Sequence, residues 1–129
     1  MVSVMELVRL AKEQLENLSP SEVAAELESD EVVLVDVREP NETAAGVIPG
    51  ALLAPRGMLE FHADPSTKYH IPALQPRKRI ILYCAAGSRS ALGAKALQDL
   101  GYDNVAHLDG GIAAWQQEGR PLTSIDGGN

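Results

Sequence analysis

Apolar positions along the chain follow two periodicities, and their alternation predicts the architecture. Val4, Leu7, Val8, Ala11 and Leu15 recur at helical spacing behind a Ser3-Val4-Met5-Glu6 capping box, which predicts an amphipathic helix over about 3–15. A second box, Ser19-Pro20-Ser21-Glu22, puts proline at the first helical position and predicts a helix to about Glu28, with Leu18 before it in a short edge strand. Val32-Val33-Leu34-Val35 is a continuous apolar run, the pattern of a strand buried on both faces in a parallel sheet. Pro40 opens a short helix over about 40–45 that Gly46 ends, and Ala51–Ala54 reads as a second short strand. Residues 55–78 contain Pro55, Pro65, Pro72 and Pro76, so they read as loop, with one helical turn around Met58–His62. Arg79–Tyr83 is a third buried strand, Ser90–Leu100 a helix stopped at Gly101, and Val105–Leu108 a further strand. Gly110-Gly111 reads as a turn, Ile112–Glu118 as a last helix, and Ile125–Asn129 as a frayed tail.

Strands alternating with helices predict an α/β sandwich around a mainly parallel sheet, with its site beyond the carboxyl ends of the strands. A chain of 129 residues suits one domain with an ordinary core. Its single cysteine excludes an intrachain disulfide and a four-cysteine zinc site.

Charge narrows the partners. The formal net charge is −7, so no basic excess exists for phosphate-backbone binding, and nucleic acid is not an expected partner. Residues 1–42 carry eleven acidic against three basic side chains, whereas the remainder carries seven against eight. The acidic portion reads as a solvated face, and the second portion can present a locally positive pocket. No apolar run is long enough for a membrane span, and Glu6, Arg9, Lys12 and Glu13 interrupt what would be a signal peptide's apolar region. A free thiol without an export signal gives a cytoplasmic expectation.

The chemistry concentrates where the buried strand delivers Cys84 into Ala85-Ala86-Gly87-Ser88-Arg89. Small side chains and a glycine let successive backbone N–H groups curl around an anion, and the following helix start adds unpaired donors. Both favour thiolate over thiol, so the Cys84 pKa is expected to be depressed. Arg89 is placed to neutralise an incoming anion. His62, His70 and His107 share no ligand-like spacing and read as incidental, Trp115 reads as core, and no metal site is expected.

The loop Cys84–Arg89, with cysteine first, glycine fourth and arginine sixth, resembles the active-site loop of rhodanese-type sulfurtransferases. Asp36-Val37-Arg38-Glu39-Pro40-Asn41-Glu42, Gly46-Val47-Ile48-Pro49-Gly50-Ala51 and Leu108-Asp109-Gly110-Gly111-Ile112-Ala113-Ala114-Trp115 resemble three further segments of that family in the same order. Val47 departs from the family's usual histidine, which bears on local hydrogen bonding more than on activity. The resemblance covers residues 19–122, leaving 1–18 as an N-terminal helical extension and 123–129 as a flexible tail. It implies a rhodanese-like three-layer sandwich and transfer of sulfane sulfur from thiosulfate or a small persulfide. The sulfur would pass through a Cys84 persulfide to cyanide, a small thiol or a protein thiol, with no cofactor. Cys84 is the implied nucleophile, and Ala85, Ala86, Gly87, Ser88 and Arg89 form the implied cradle. For Arg56, which follows the second strand, substrate binding and an ion pair both stay open. Asp36, Arg38 and Glu42 read as a structural network near the site. Alternatives are a persulfide carrier or sensor serving a protein partner, and a cysteine phosphatase or arsenate reductase. The latter enzymes place five residues between cysteine and arginine, where four stand here.

Overall fold

The structure, a computed structural model, describes residues 1–125, so the expected fraying of the tail lies, apart from Ile125, outside the described residues. The strands are β1 (Glu16–Leu18), β2 (Val32–Asp36), β3 (Leu52–Leu53), β4 (Arg79–Tyr83) and β5 (Val105–Leu108). They form one parallel sheet in the order β1-β5-β4-β2-β3. The helices are α1 (Val4–Glu13), α2 (Pro20–Glu26), α3 (Pro40–Thr43), α4 (Leu59–Ala63), α5 (Ser88–Asp99) and α6 (Gly111–Gln117), with a short 3-10 turn at Arg56–Met58.

Side-chain alternation along β4 explains its unbroken apolar run. Ile80 and Leu82, with Cys84 next in line, enter a core shared with Leu59, Ala63, Ala94 and Leu97. Ile81 and Tyr83 enter the opposite core with Val23, Ile112 and Trp115. A strand whose two faces are both covered cannot alternate polar with apolar residues, and burying each such side chain contributes roughly 1.5–3 kcal/mol.

The ends of the elements differ from expectation for local reasons. At α2 the Ser19 hydroxyl and the Glu22 carboxylate cap each other's backbone N–H. At α1 the Ser3 hydroxyl accepts from the Glu6 N–H, but the Glu6 carboxylate turns to Arg9 instead of completing the box. The last helix begins at Gly111, so the expected Gly110-Gly111 turn is half helix. Most consequential is α5, which starts at Ser88 rather than Ser90. Gly87 takes φ +110° as its N-cap, a left-handed conformation open to glycine, and the chain enters the helix two residues early.

The first eighteen residues pack directly on this framework. Val8 and Ala11 of α1 rest on Ala91 of α5, and β1 forms the sheet edge beside β5 with Asn17 opposite His107. At the other end Thr123 pairs with Val47 in an antiparallel bridge, with N–H···O distances of 2.9 and 2.8 Å. Val47 thus contributes backbone hydrogen bonds where its side chain offers none. No helix among the described residues is long and apolar enough to cross a membrane.

Candidate active site

Cys84 sits one residue beyond β4, at the carboxyl end of the sheet, with 1% of its surface exposed. Its Sγ accepts hydrogen bonds from the Gly87 N–H at 3.1 Å and the Ser90 N–H at 3.4 Å, and lies 3.6 Å from the Ser90 hydroxyl. Burial pushes the thiol up. The Ser90 hydroxyl and the backbone N–H groups of Ser90, Gly87 and Ala86 pull the other way and prevail, so its pKa falls below the ordinary value.

The loop is held from behind by α6. Ile112 N–H donates to the Cys84 carbonyl at 2.9 Å and Ala113 N–H to the Ala85 carbonyl at 3.1 Å. Because each peptide is planar and trans, those bonds turn the N–H groups of Ala85 and Ala86 to the loop's other side. Gly111 makes the close approach: a Cβ there would stand 2.5 Å from the Ala85 carbonyl, and its φ is +62°. The Gly-Gly pair is therefore a seat for the cysteine loop as well as a turn.

Arg89 and Ser90 occupy the first turn of α5, and consecutive helical residues point about 100° apart. Arg89 turns outward and meets Glu42 in a two-pronged ion pair, Nη1–Oε1 2.7 Å and Nη2–Oε2 2.9 Å, with 38% of its side chain exposed. Its hydrogen bond to Arg89 is the main reason the Glu42 carboxyl falls to about 2. Arg89, expected to neutralise an incoming anion, thus already holds an anion of the chain itself. Glu42, read as part of a network with Asp36 and Arg38, hydrogen-bonds Arg89 and acts on Arg38 through charge.

Asp36 and Arg38 form their own buried pair. Arg38 Nη2 donates to Asp36 Oδ2 and to the Gly46 carbonyl, both at 2.8 Å, and its guanidinium lies 5.8 Å from the centre of the Tyr83 ring. Arg56 pairs with Glu60 at 2.7 Å and lines a groove of about 380 Å³ with Leu7, Leu10 and Leu92. Trp115 is buried and donates to the Pro121 carbonyl at 2.8 Å. Among the described residues no three His, Cys, Asp or Glu side chains gather as metal ligands would.

Two contributors lay outside the expected cradle. Ser90 meets the sulfur through both its N–H and its hydroxyl. His107, read as incidental, is fully buried and bonded to Ser90 at one nitrogen and Asn17 at the other. A histidine in a four-residue strand with no polar alternation was the available signal, because such a residue must find partners inside.

Residues 19–118, most of the chain, match the rhodanese-like domain family. The chain belongs to that family. Among relatives of this rhodanese-like domain is a sulfurtransferase of Allochromatium vinosum, 36% identical over 100 residues, which span 78% of this chain and 86% of that protein. A solved structure from Rhodopseudomonas palustris, of a protein of unknown function and possible tyrosine phosphatase, superposes with a TM-score of 0.89. It is 39% identical over 95% of each chain. The thiosulfate sulfurtransferase of Pseudomonas aeruginosa superposes with a TM-score of 0.72 and 29% identity, over 92% of this rhodanese-like domain but 21% of that chain.

Proposed function

We propose that this chain moves sulfane sulfur from thiosulfate or a small persulfide to cyanide or a thiol, with Cys84 as the nucleophile. The observation that carries the reading is the buried Cys84 sulfur facing the N–H groups of Gly87 and Ser90 inside a short loop. The Cys84 thiolate attacks the outer sulfur of thiosulfate. A bond forms between the two sulfurs, the bond to the sulfonate sulfur breaks, and sulfite leaves with its electron pair. The persulfide anion then occupies the side of the loop to which the Ala85 and Ala86 N–H groups turn. An acceptor nucleophile attacks the terminal sulfur and releases the Cys84 thiolate, a two-step covalent cycle with ping-pong kinetics. The cycle uses no cofactor, because both half-reactions are displacements at sulfur. Cys84 is the sole cysteine, so the acceptor is a separate small molecule or a protein thiol.

Arg89 serves the incoming donor. Its guanidinium is half exposed and its partner Glu42 is a rim carboxylate, so an anionic donor competes with Glu42 for the same two-pronged geometry. Four residues between Cys84 and Arg89 make a cradle sized for sulfur, smaller than the five-residue interval of cysteine phosphatases and arsenate reductases.

Incubation with thiosulfate and cyanide, beside incubation with an aryl phosphate, tests the reading. Thiocyanate formation, with a mass gain of one sulfur atom on the protein before cyanide is added, is the expected result. Phosphate release without thiocyanate would replace it with phosphatase chemistry. Slow transfer to cyanide with fast transfer to a protein thiol would point to a carrier.

A further inference from the structure

Behind Cys84, two side chains with no exposed surface, Ser90 and His107, stand in single file. Cys84 Sγ is 3.6 Å from Ser90 Oγ, Ser90 Oγ is 2.9 Å from His107 Nδ1, and His107 Nε2 is 2.7 Å from Asn17 Oδ1. The direction of the file is set at its far end. Asn17 Nδ2 donates to the carbonyls of Lys12 at 2.9 Å and Leu15 at 3.1 Å, so the amide oxygen is the atom that faces the ring. An oxygen acceptor requires the hydrogen on Nε2. In the neutral ring Nδ1 then carries a lone pair and accepts the Ser90 hydroxyl hydrogen. The Ser90 oxygen in turn accepts from the Cys84 thiol.

We infer that Ser90 and His107 form a relay that receives the Cys84 thiol proton, with Asn17 as the positioning residue that fixes the ring's tautomer. The S–H bond breaks and its proton joins Ser90 Oγ. The original Ser90 hydroxyl proton passes to His107 Nδ1. Sulfur gains one negative charge, the ring gains one positive charge, and Ser90 stays neutral. Afterwards the imidazolium donates to Ser90, Ser90 donates to the thiolate, and Nε2 still donates to Asn17, so every polar atom of the file is paired before and after. This deepens the sulfurtransferase reading and rests on it for the use made of the thiolate.

The surroundings keep the ring neutral while the thiol is protonated, so that Nδ1 presents a lone pair to Ser90. His107 lies between Asn17 of β1 and Leu82 of β4, with Ser90 reaching it from α5. The charged groups that act on it are Asp109 beyond its own strand and Lys12 from α1, which pair with each other at 2.9 Å. Burial, opposed by Asp109 and reinforced by Lys12, lowers the His107 pKa from 6.5 to about 4, so the ring is neutral wherever the thiol is protonated near neutral pH.

A relay has a kinetic signature that a structural hydrogen bond lacks. The thiolate–imidazolium pair is a proton isomer of the thiol–imidazole pair, so its population does not depend on pH between the two titrations. Alkylation of Cys84 by iodoacetamide, followed from about pH 4 to 9, should fall below the thiol titration and then level off once the pH is low enough for the imidazolium beside the thiolate to hold its proton. His107→Gln keeps an acceptor toward Ser90 and a donor toward Asn17 but cannot take a proton. It should keep its circular dichroism and lose the plateau, falling tenfold per pH unit and ending about tenfold below the parent near pH 4.5. Ser90→Ala should lose the plateau as well, and Asn17→Asp, which places a carboxylate on Nε2–H, should raise it. A plateau that survives in folded His107→Gln, or a parent without one, overturns the relay. Thiosulfate:cyanide transfer is measured on the same preparations. Transfer without a plateau removes the relay and leaves the sulfurtransferase reading. A plateau without transfer does the reverse.

Discussion

Arg89 and Ser90 are neighbours in sequence, yet their side chains leave the first turn of α5 into different surroundings. The Arg89 side is charged, half exposed and already occupied by Glu42. The Ser90 side is uncharged at neutral pH, closed to solvent and continued by His107. Exposed ion pairs are screened and typically contribute less than about 1 kcal/mol, so the outer side can exchange one anion for another at little cost. Hydrogen bonds inside are not screened and their geometry is over-determined, so the inner side governs the protonation of the nucleophile. In the proposed cycle, one turn of helix would separate recognition of the donor from preparation of the thiol.

Removing the atom that both sides serve should give the largest effect. Cys84→Ser should abolish sulfur transfer while leaving thermal unfolding near that of the parent, because a hydroxyl fits the same small-residue loop. Residual turnover within tenfold of the parent would move the nucleophile elsewhere and dissolve the comparison.

Acid should then separate the two sides by stability. The folded protein holds His107 neutral down to about pH 4, whereas an unfolded histidine takes its proton near 6.5. Between those values the unfolded state binds more protons, so this stability is fully present above pH 6.5 and is lost as pH falls toward 4. The loss should reach roughly 3 kcal/mol in urea unfolding, and the slope should flatten in His107→Gln. The Glu42 contribution belongs to a lower window, from its ordinary value of 4.5 to about 2. An unfolding profile flat between pH 6.5 and 4 in the parent would contradict the buried neutral ring.

On the outer side, Arg89→Ala should raise KM for thiosulfate about tenfold and change kcat less, the mark of an interaction made in the ground state. A large kcat loss at constant KM would give Arg89 a transition-state role instead. The smallest effect should come from Glu42→Gln. Releasing Arg89 from its ion pair should lower KM, by no more than about fivefold, since the pair is half exposed. A raised KM would mean that Glu42 holds Arg89 in the productive position rather than competing for it.

Much of the fold was legible in the chain. The unbroken apolar run of β4 and the Ser19-Pro20-Ser21-Glu22 box depend on residues close in sequence, and the structure places a buried strand and a boxed helix there. The start of α5 was misjudged by two residues because a left-handed Gly87 can open a helix without a side-chain cap, and no local residue announces it. That small error left Arg89 in the loop and Ser90 at the very start of the helix, so the different directions of the two side chains within one helical turn were not visible.

The sequence by itself determined the pattern of elements, the lone cysteine and the small-residue loop around it. Each of these follows from local spacing and residue size. Only the tertiary structure decided which groups the cysteine meets. Glu42 reaches Arg89 from 47 residues away, and Asn17 reaches His107 across 90. Parallel pairing of β1, β4 and β5 brings Asn17, Leu82 and His107 into line, and α5 then lays Ser90 between His107 and the sulfur. Such partners are chosen by sheet register and helix phase, which depend on the packing of the whole chain rather than on the residues beside them.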